Sequence, residues 1–388
     1  MKAAIVGVGR MGKAIAWAMD KLGCTELVLV DSVMDNLSTC AEGLSCSTTS
    51  VHALLDGNYP FLENSDIVIS ALPYHQNEKL ARYCIDHKLP YCDLGGHVDT
   101  SNNINEYAKE KGSFVMTDLG LAPGWVNILA EHGYNSHKGL PTTVEMMVGG
   151  LPTTPNNYLK YNCTWSHDGL INEYKDQCTV LTDGSITLAD SMSGLINVNT
   201  GLGAMEAFYT SGGASHTIKT MQGRGVQNCH YRTIRYKGHC EAMKFLMRNI
   251  SSDNELLAFL DKACPPAPDL VIVKVRVGDR EPSLSYKHSK WRQHFLKPYS
   301  HPITQENVAD WEEEKIVYSN DKFSAMQMAT AFPISVVAYL MGTPMYGRFF
   351  EYKSGSKNTT ETNGPLSYQH IPYRTFADKL NFLFEEAQ

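Results

Sequence analysis

The sequence contains no Cys-x-x-Cys pair, no run of five basic residues and no apolar stretch of transmembrane length. Its ten cysteines are scattered from Cys24 to Cys264, which is not the pattern of a disulfide framework; dispersed thiols fit a reducing, cytoplasmic setting. No Cys/His grouping has zinc-ligand spacing, so no metal is expected. Ile334–Met341 is among the longest apolar runs and falls well short of the roughly 20 residues that span a bilayer, so it reads as a buried helix. With 34 basic and 41 acidic residues the net charge is −7, which argues against a nucleic-acid or anionic-membrane partner. Arg10 and Lys13 interrupt any signal-like apolar region, and the first residues read better as a strand. No internal repeat or low-complexity tract is present.

What is there begins at once. Lys2-Ala-Ala-Ile-Val-Gly7-Val-Gly9-Arg10-Met11-Gly12 is a short apolar strand running into Gly-x-Gly-x-x-Gly and then an apolar-periodic helix. A second apolar strand, Leu27–Val30, ends on Asp31. Strand before, helix after and acid at the end of the second strand form the dinucleotide fingerprint. Gly7 allows the tight turn, Gly9 lets backbone approach a pyrophosphate, and Gly12 lets helix and strand pack closely. The helix N-terminus offers unpaired N–H groups and a favourable dipole to the phosphates. Asp31 suits the ribose hydroxyls of NAD and repels a 2′-phosphate, and Ser32-Val33-Met34-Asp35 supplies no cation to offset that repulsion.

Strand and helix signals alternate through residue 118: a helix to about Glu42, a weak strand at Cys46–Val51, a buried strand at Asp66–Ser70, a helix at Asn77–His87, a strand at Pro90–Asp93, a helix near Asn103–Lys111 and a strand at Ser113–Met116. This spacing predicts a doubly wound parallel sheet of Rossmann type. From Thr143 the strand-like runs Val144–Val148, Tyr161–Trp165, Thr233–Tyr236 and Leu270–Val277 lie between Gly- and Pro-rich turns, predicting an α+β domain on a mixed or antiparallel sheet. Helical pattern returns near Phe323. The expected organisation is a dinucleotide domain at 1–118, completed by 323–388, and a substrate and dimerisation domain at 119–322. Lys287–Asn320 reads as a loop or insertion, and Tyr346–Thr362 as a flexible polar tail.

In an open α/β sheet ligands bind beyond the carboxyl ends of the strands. Ser70-Ala-Leu72-Pro73-Tyr74-His75, Asp93-Leu-Gly95-Gly96-His97 and Asp118-Leu-Gly-Leu-Ala-Pro-Gly124 fall there, each also readable as a plain strand-to-helix loop. Leu72 and Pro73 are placed to wall the nicotinamide, with Gly95 approaching closely. Asp93–His97, Asp118–Gly124, Gly149–Pro152, Trp165–Leu170, Glu206–Gly213 and Thr233–His239, in this order, resemble the saccharopine dehydrogenase (reductase) family, and within it its lysine 6-dehydrogenase branch. The likeness runs from residue 1 to about 340. Ala122 and Val148 stand where saccharopine reductases typically read Asp and Cys, which leans towards the lysine-type enzymes, as does the NAD-type Asp31.

The resemblance implies a homodimeric enzyme that oxidatively deaminates the ε-amine of lysine, with a second domain covering the substrate. Two alternatives stand beside it: a saccharopine dehydrogenase that releases an amino acid, and a non-catalytic NAD-binding protein, since a glycine fingerprint reports binding only. Tyr74 matches a tyrosine the family places at the substrate; it either orients the amine or lids the cofactor. His97, an imidazole that can both take and give a proton, is the first choice for proton transfer, or else a structural histidine. Asp93 or Asp118 stabilises cationic intermediates, or caps the next helix. Arg235 binds an α-carboxylate, or is a solvated strand arginine. Thr210 and Ser211 donate to that carboxylate or only make a turn. His239 and Glu241 are further candidates, and Trp165 is read as core.

Overall fold

A computed structural model describes residues 1–54, 56–279, 311–344 and 364–388. The chain divides into two compact units, Met1–Ile128 with Ser319–Gln388, and Leu129–Tyr318.

In the first unit, six strands lie in parallel in the order β3-β2-β1-β4-β5-β6. They are β1 (Lys2–Val6), β2 (Glu26–Asp31), β3 (Ser47–His52), β4 (Ile67–Ser70), β5 (Tyr91–Asp93) and β6 (Val115–Met116). The inner strands carry almost uninterrupted apolar residues, as expected where helices cover both faces. The crossovers are α1 (Arg10–Lys21), α2 (Met34–Ala41), α3 (Tyr74–Asp86) and α4 (Val98–Lys111). Helix α3 starts at Tyr74, three residues before the expected Asn77, because Pro73 holds the N-cap position and its carbonyl accepts Gln76 N–H at 3.0 Å. α5 (Trp125–Ser136) leads into the second unit.

That unit holds an eight-stranded mixed sheet whose main path runs β10-β11-β12-β7-β13-β14, with the β8–β9 hairpin attached through β12. The strands are β7 (Thr143–Pro152), β8 (Cys178–Thr182), β9 (Ser185–Ala189), β10 (Ile196–Thr200), β11 (Gly203–Tyr209), β12 (Asn228–Arg235), β13 (Asp269–Gly278) and β14 (Trp311–Tyr318). Only β12 and β7 pair in parallel. α6 (His167–Lys175), α7 (Thr217–Gly223), α8 (His239–Asn249) and α9 (Asp253–Ala263) complete it. Leu170, Tyr174, Phe208, Met243 and Leu260 share one buried cluster, so α6, α8 and α9 pack on the face of the sheet that carries Phe208.

Two expectations fail here. Tyr161–Trp165 is not a strand. Its backbone is tied irregularly: Asn157 Nδ2 donates to Tyr161 O, Asn162 Nδ2 to Pro265 O at 2.7 Å, and Cys163 N to Cys264 O at 3.0 Å. The supposed loop at Lys287–Asn320 contains strand β14; residues 287–310 lie outside the described part. Trp311-Glu-Glu-Glu-Lys-Ile-Val-Tyr looks too polar for a strand, yet Lys274 Nζ on β13 donates to Glu312 and Glu314 at 2.6 and 3.1 Å. Charge is ordinary on an edge strand.

The chain returns to the first unit through α10 (Ala325–Gly342), opened by a Ser324/Gln327 capping box, and ends in α11 (Tyr373–Glu386). Trp17 of α1 packs on Phe332 and Phe323 at centroid distances of 5.5 and 5.3 Å. The expectation that no apolar stretch reaches transmembrane length is corrected at α10, which is long and apolar enough to cross a membrane by length and composition, while 83% of it is buried inside the protein. The polar tail read at Tyr346–Thr362 lies outside the described residues.

Candidate functional site

The glycine loop is built as the fingerprint requires. Gly7 has φ +89°, and its N–H donates to Val30 O at 2.8 Å, tying the turn to β2. A Cβ on Gly12 would stand 1.9 Å from Gly7 O, so α1 and the turn touch only because that atom is missing. Gly9 differs: a Cβ there would meet no protein atom within 4 Å. Its emptiness serves no packing, which fits a place kept clear for ligand. Gly9 is also the N-cap of α1 and offers no side-chain cap, leaving first-turn N–H groups such as that of Met11 for an anion. Arg10 turns away to α10: its guanidinium donates to Ser324 Oγ at 3.0 Å, and its carbonyl accepts from Gln327 Nε2 at 3.0 Å.

Asp31 holds two loops together, accepting Val8 N–H on Oδ2 and Val33 N–H on Oδ1, both at 2.8 Å. Each carboxylate oxygen keeps further lone-pair capacity, as recognition of ribose hydroxyls needs. These residues fit an adenine dinucleotide: an open cradle at Gly9, an uncapped helix end, and an acid at the end of β2.

At the carboxyl ends of β4, β5 and β6 the remaining residues of this unit sort into two groups. Leu72 lies against the glycine turn, its Cδ2 3.0 Å from where a Gly7 Cβ would be. Tyr74, 45% exposed, follows Pro73 at the start of α3 and stacks on His97 at 5.2 Å with 15° between planes. His97 is exposed at the N-cap position of α4. The structure therefore brings Tyr74 and His97 together where they can meet a ligand.

Asp93 and Asp118 face inward. Asp93 Oδ1 accepts Gly95 N–H at 2.8 Å and Asp118 N–H at 3.2 Å, while Oδ2 accepts the Tyr91 hydroxyl at 3.0 Å. Burial first, and the Asp118 charge second, push the Asp93 carboxyl up to about 7. Asp118, at φ +63°, accepts the Ser101 hydroxyl at 2.7 Å, and its carbonyl accepts the Tyr368 hydroxyl at 2.7 Å. Gly95, at φ +75°, must lack a side chain because a Cβ would stand 2.3 Å from Asp118 Oδ1. The pair locks the loops after β5 and β6 together. None of these hydrogen bonds caps a helix end.

In the second unit Arg235 is buried, which corrects the solvated alternative. Its Nε donates to the Tyr174 hydroxyl and a terminal nitrogen to Ile234 O, both at 3.0 Å, with the Tyr161 ring 5.3 Å away. The Tyr174 hydroxyl meets His239 Nε2 at 3.0 Å, and His239 Nδ1 lies 2.8 Å from Leu159 O. A carbonyl can only accept, so Nδ1 carries the proton and Nε2 accepts from Tyr174. Burial and the Arg235 charge hold His239 down to about 3, so it is neutral. Both ring nitrogens of His239 are thus engaged within the protein, and it orients Tyr174. Thr210 is buried, its hydroxyl 2.7 Å from that of Thr233. Ser211 keeps part of its surface exposed, and its N–H donates to Glu173 O at 3.1 Å. Trp165 is 38% exposed, not core.

Sequence reading missed Glu173, Tyr174 and Tyr161, which surround Arg235; the signal was Asn172-Glu173-Tyr174, just beyond the Trp165–Leu170 motif. It also missed a buried network on β7, β11 and β12, where Glu145 pairs with both Arg232 and His230, and Arg232 donates to the Tyr209 hydroxyl. Among the described residues no three His, Cys, Asp or Glu side chains converge as metal ligands.

The saccharopine dehydrogenase NADP binding domain model matches residues 3–116, and the saccharopine dehydrogenase C-terminal domain model matches residues 120–346. The chain belongs to the saccharopine dehydrogenase family. Among relatives of this family member, the mitochondrial alpha-aminoadipic semialdehyde synthase of Rattus norvegicus is 23% identical over 253 residues, 62% of this chain and 27% of the rat protein. The saccharopine dehydrogenase [NADP(+), L-glutamate-forming] of Pyricularia oryzae is 26% identical over 127 residues, 31% of this chain and 28% of that protein. The chain thus spans little more than a quarter of the length of these relatives. The apo saccharopine dehydrogenase (L-Glu forming) structure from Saccharomyces cerevisiae superposes with a TM-score of 0.69 at 13% identity, over 98% of this chain and 96% of that one, and shares the fold.

Proposed function

We propose that this family member is an NAD-dependent dehydrogenase that oxidatively deaminates the ε-amine of L-lysine, giving the 6-semialdehyde and ammonia. The observation that carries the choice of substrate is the charge inventory of the second unit. Its buried cations among the described residues are Arg232, Arg235 and Lys274. Arg232 is paired with Glu145, and Lys274 with Glu312 and Glu314. Arg235 alone has no carboxylate of the described residues within ion-pair distance, and a buried guanidinium without an ion-pair partner is costly. One open cation suits a substrate with one carboxylate; saccharopine carries three.

Bound NAD supplies the hydride acceptor. The chain's residues do the rest: Asp31 accepts the ribose hydroxyls, the N-terminus of α1 receives the pyrophosphate, and Leu72 and Pro73 wall the nicotinamide. Hydride can leave Cε only when the attached nitrogen has a free lone pair, so the ammonium must first lose a proton; His97 takes it, and the Tyr74 hydroxyl orients the amine. Water then adds to the iminium and ammonia departs. Asp93 and Asp118 act as positioning residues that hold the loops carrying His97 and Gly120. Asp31 favours NAD, although the family's dinucleotide domain is named for NADP. The working form is a homodimer, and the cellular setting is the cytoplasm.

The test is to supply purified protein with NAD or NADP and with lysine or saccharopine. NADH and ammonia from lysine support the proposal; glutamate released from saccharopine replaces it with the activity named for the Pyricularia oryzae protein.

A further inference from the structure

Among the described residues, the Glu173 carboxylate has no side-chain partner, and the Arg235 guanidinium beside it has hydrogen bonds but no ion-paired carboxylate. α6 is capped by Ser166, whose hydroxyl accepts Gly169 N–H at 3.2 Å, and its stripe His167, Leu170, Ile171 and Tyr174 is buried. At roughly 100° per residue Glu173 flanks that stripe, about 60° round the helix from Leu170. It is tied down by its backbone: Glu173 O accepts Ser211 N–H at 3.1 Å and the Ser191 hydroxyl at 2.9 Å. Its side chain forms no hydrogen bond or ion pair among the described residues. Part of its surface reaches solvent, as do Ser211 and Gly212 of the turn bonded to it.

Behind Glu173 stand Arg235 and Tyr161. The Tyr161 hydroxyl is fully buried and makes no hydrogen bond of proper geometry, although the Thr164 hydroxyl stands close to it. A buried hydroxyl, a buried guanidinium and a carboxylate, each with unused bonding capacity, are what a small zwitterion satisfies. Burial pushes the Glu173 carboxyl up to about 7 and the Arg235 charge only partly offsets this, so an arriving cation restores its ionised form.

Resting on the reading of lysine as substrate, we propose that Glu173 and Arg235 together recognise the α-amino-acid head group. The guanidinium takes the α-carboxylate, and the Glu173 carboxylate takes the α-ammonium. The Tyr161 hydroxyl donates a further hydrogen bond to the α-carboxylate. The substrate class narrows to amino acids with a free α-ammonium; ω-amino acids and diamines lack one of the two charges.

The experiment is calorimetric titration of NADH-loaded protein, which cannot turn over, with L-lysine, 6-aminohexanoate (no α-ammonium) and pentane-1,5-diamine (no carboxylate). Wild-type protein is expected to prefer lysine to 6-aminohexanoate by at least about tenfold, as loss of a charged hydrogen bond implies. In Glu173→Gln that gap closes to within about threefold, while the preference over the diamine persists because Arg235 is intact. A wild-type protein that binds lysine and 6-aminohexanoate equally, or a Gln variant with an undiminished gap, overturns the proposal. NADH formation from lysine and NAD is read separately. The predicted binding pattern without NADH production refutes the deamination and upholds the head-group site; NADH production with an unchanged gap does the reverse.

Discussion

Two of the fingerprint glycines do different jobs, and one methyl group at each position separates them. In Gly12→Ala the new Cβ would sit 1.9 Å from the carbonyl oxygen of Gly7, a rigid backbone atom, so α1 or the turn must shift. Overpacking of this kind costs on the order of 1–3 kcal/mol. In a unit of this size about 2 kcal/mol lowers the melting temperature by roughly 4–8 °C. In Gly9→Ala the Cβ meets no atom beyond its chain neighbours within 4 Å, so melting should move by less than about 1 °C beyond the N-cap preference for Gly over Ala. The methyl occupies the side left clear for pyrophosphate, and NADH affinity should fall by ten- to a hundredfold, about 1.4–2.7 kcal/mol. Differential scanning calorimetry reads the first effect, and fluorescence titration with NADH reads the second. A Gly9→Ala protein that melts as low as Gly12→Ala, or that binds NADH as tightly as wild type, would refute this division of roles.

Other outcomes follow from the same geometry. Asp31→Ala should weaken NAD binding about tenfold and narrow its preference over NADP, checked by paired titrations; equal losses for both dinucleotides would speak against the ribose contact. Asp93 binds its proton more tightly folded, at about 7, than unfolded, so the native state holds more protons between about pH 4 and 7 and this group's contribution to stability falls as pH rises through that window. Asp93→Asn, which keeps an acceptor for the Gly95 and Asp118 N–H groups, should flatten that slope in melts from pH 5 to 8; an unaltered slope removes Asp93 as its source. His97→Ala, at an exposed position, should leave melting and NADH affinity intact while lowering turnover by roughly 10²–10⁴-fold. Wild-type turnover in that variant would leave His97 no role in proton transfer.

The features legible in the sequence were those written in short windows. The glycine loop, Asp31 and the apolar parallel strands need only neighbours to be read. Tyr161–Trp165 resembled a strand because nothing local reveals that Asn157, Pro265 and Cys264 take up its backbone groups. Strand β14 was hidden for the opposite reason, since its glutamates are matched by Lys274, some forty residues earlier. Arg235 was found, but its burial depends on Tyr174 and Tyr161, more than sixty residues upstream. Asp93 and His239 illustrate the same limit: residue type suggested chemistry, whereas long-range partners had already engaged their polar atoms.

The central claim is that hydride leaves the ε-carbon of lysine for the dinucleotide. Incubation with NAD and lysine deuterated at the ε-carbon tests it directly, by mass spectrometry of the reduced cofactor. One deuterium per reduced nicotinamide is expected, with one ammonia released for each; reduced cofactor free of deuterium, or none formed at all, would contradict hydride transfer from that carbon.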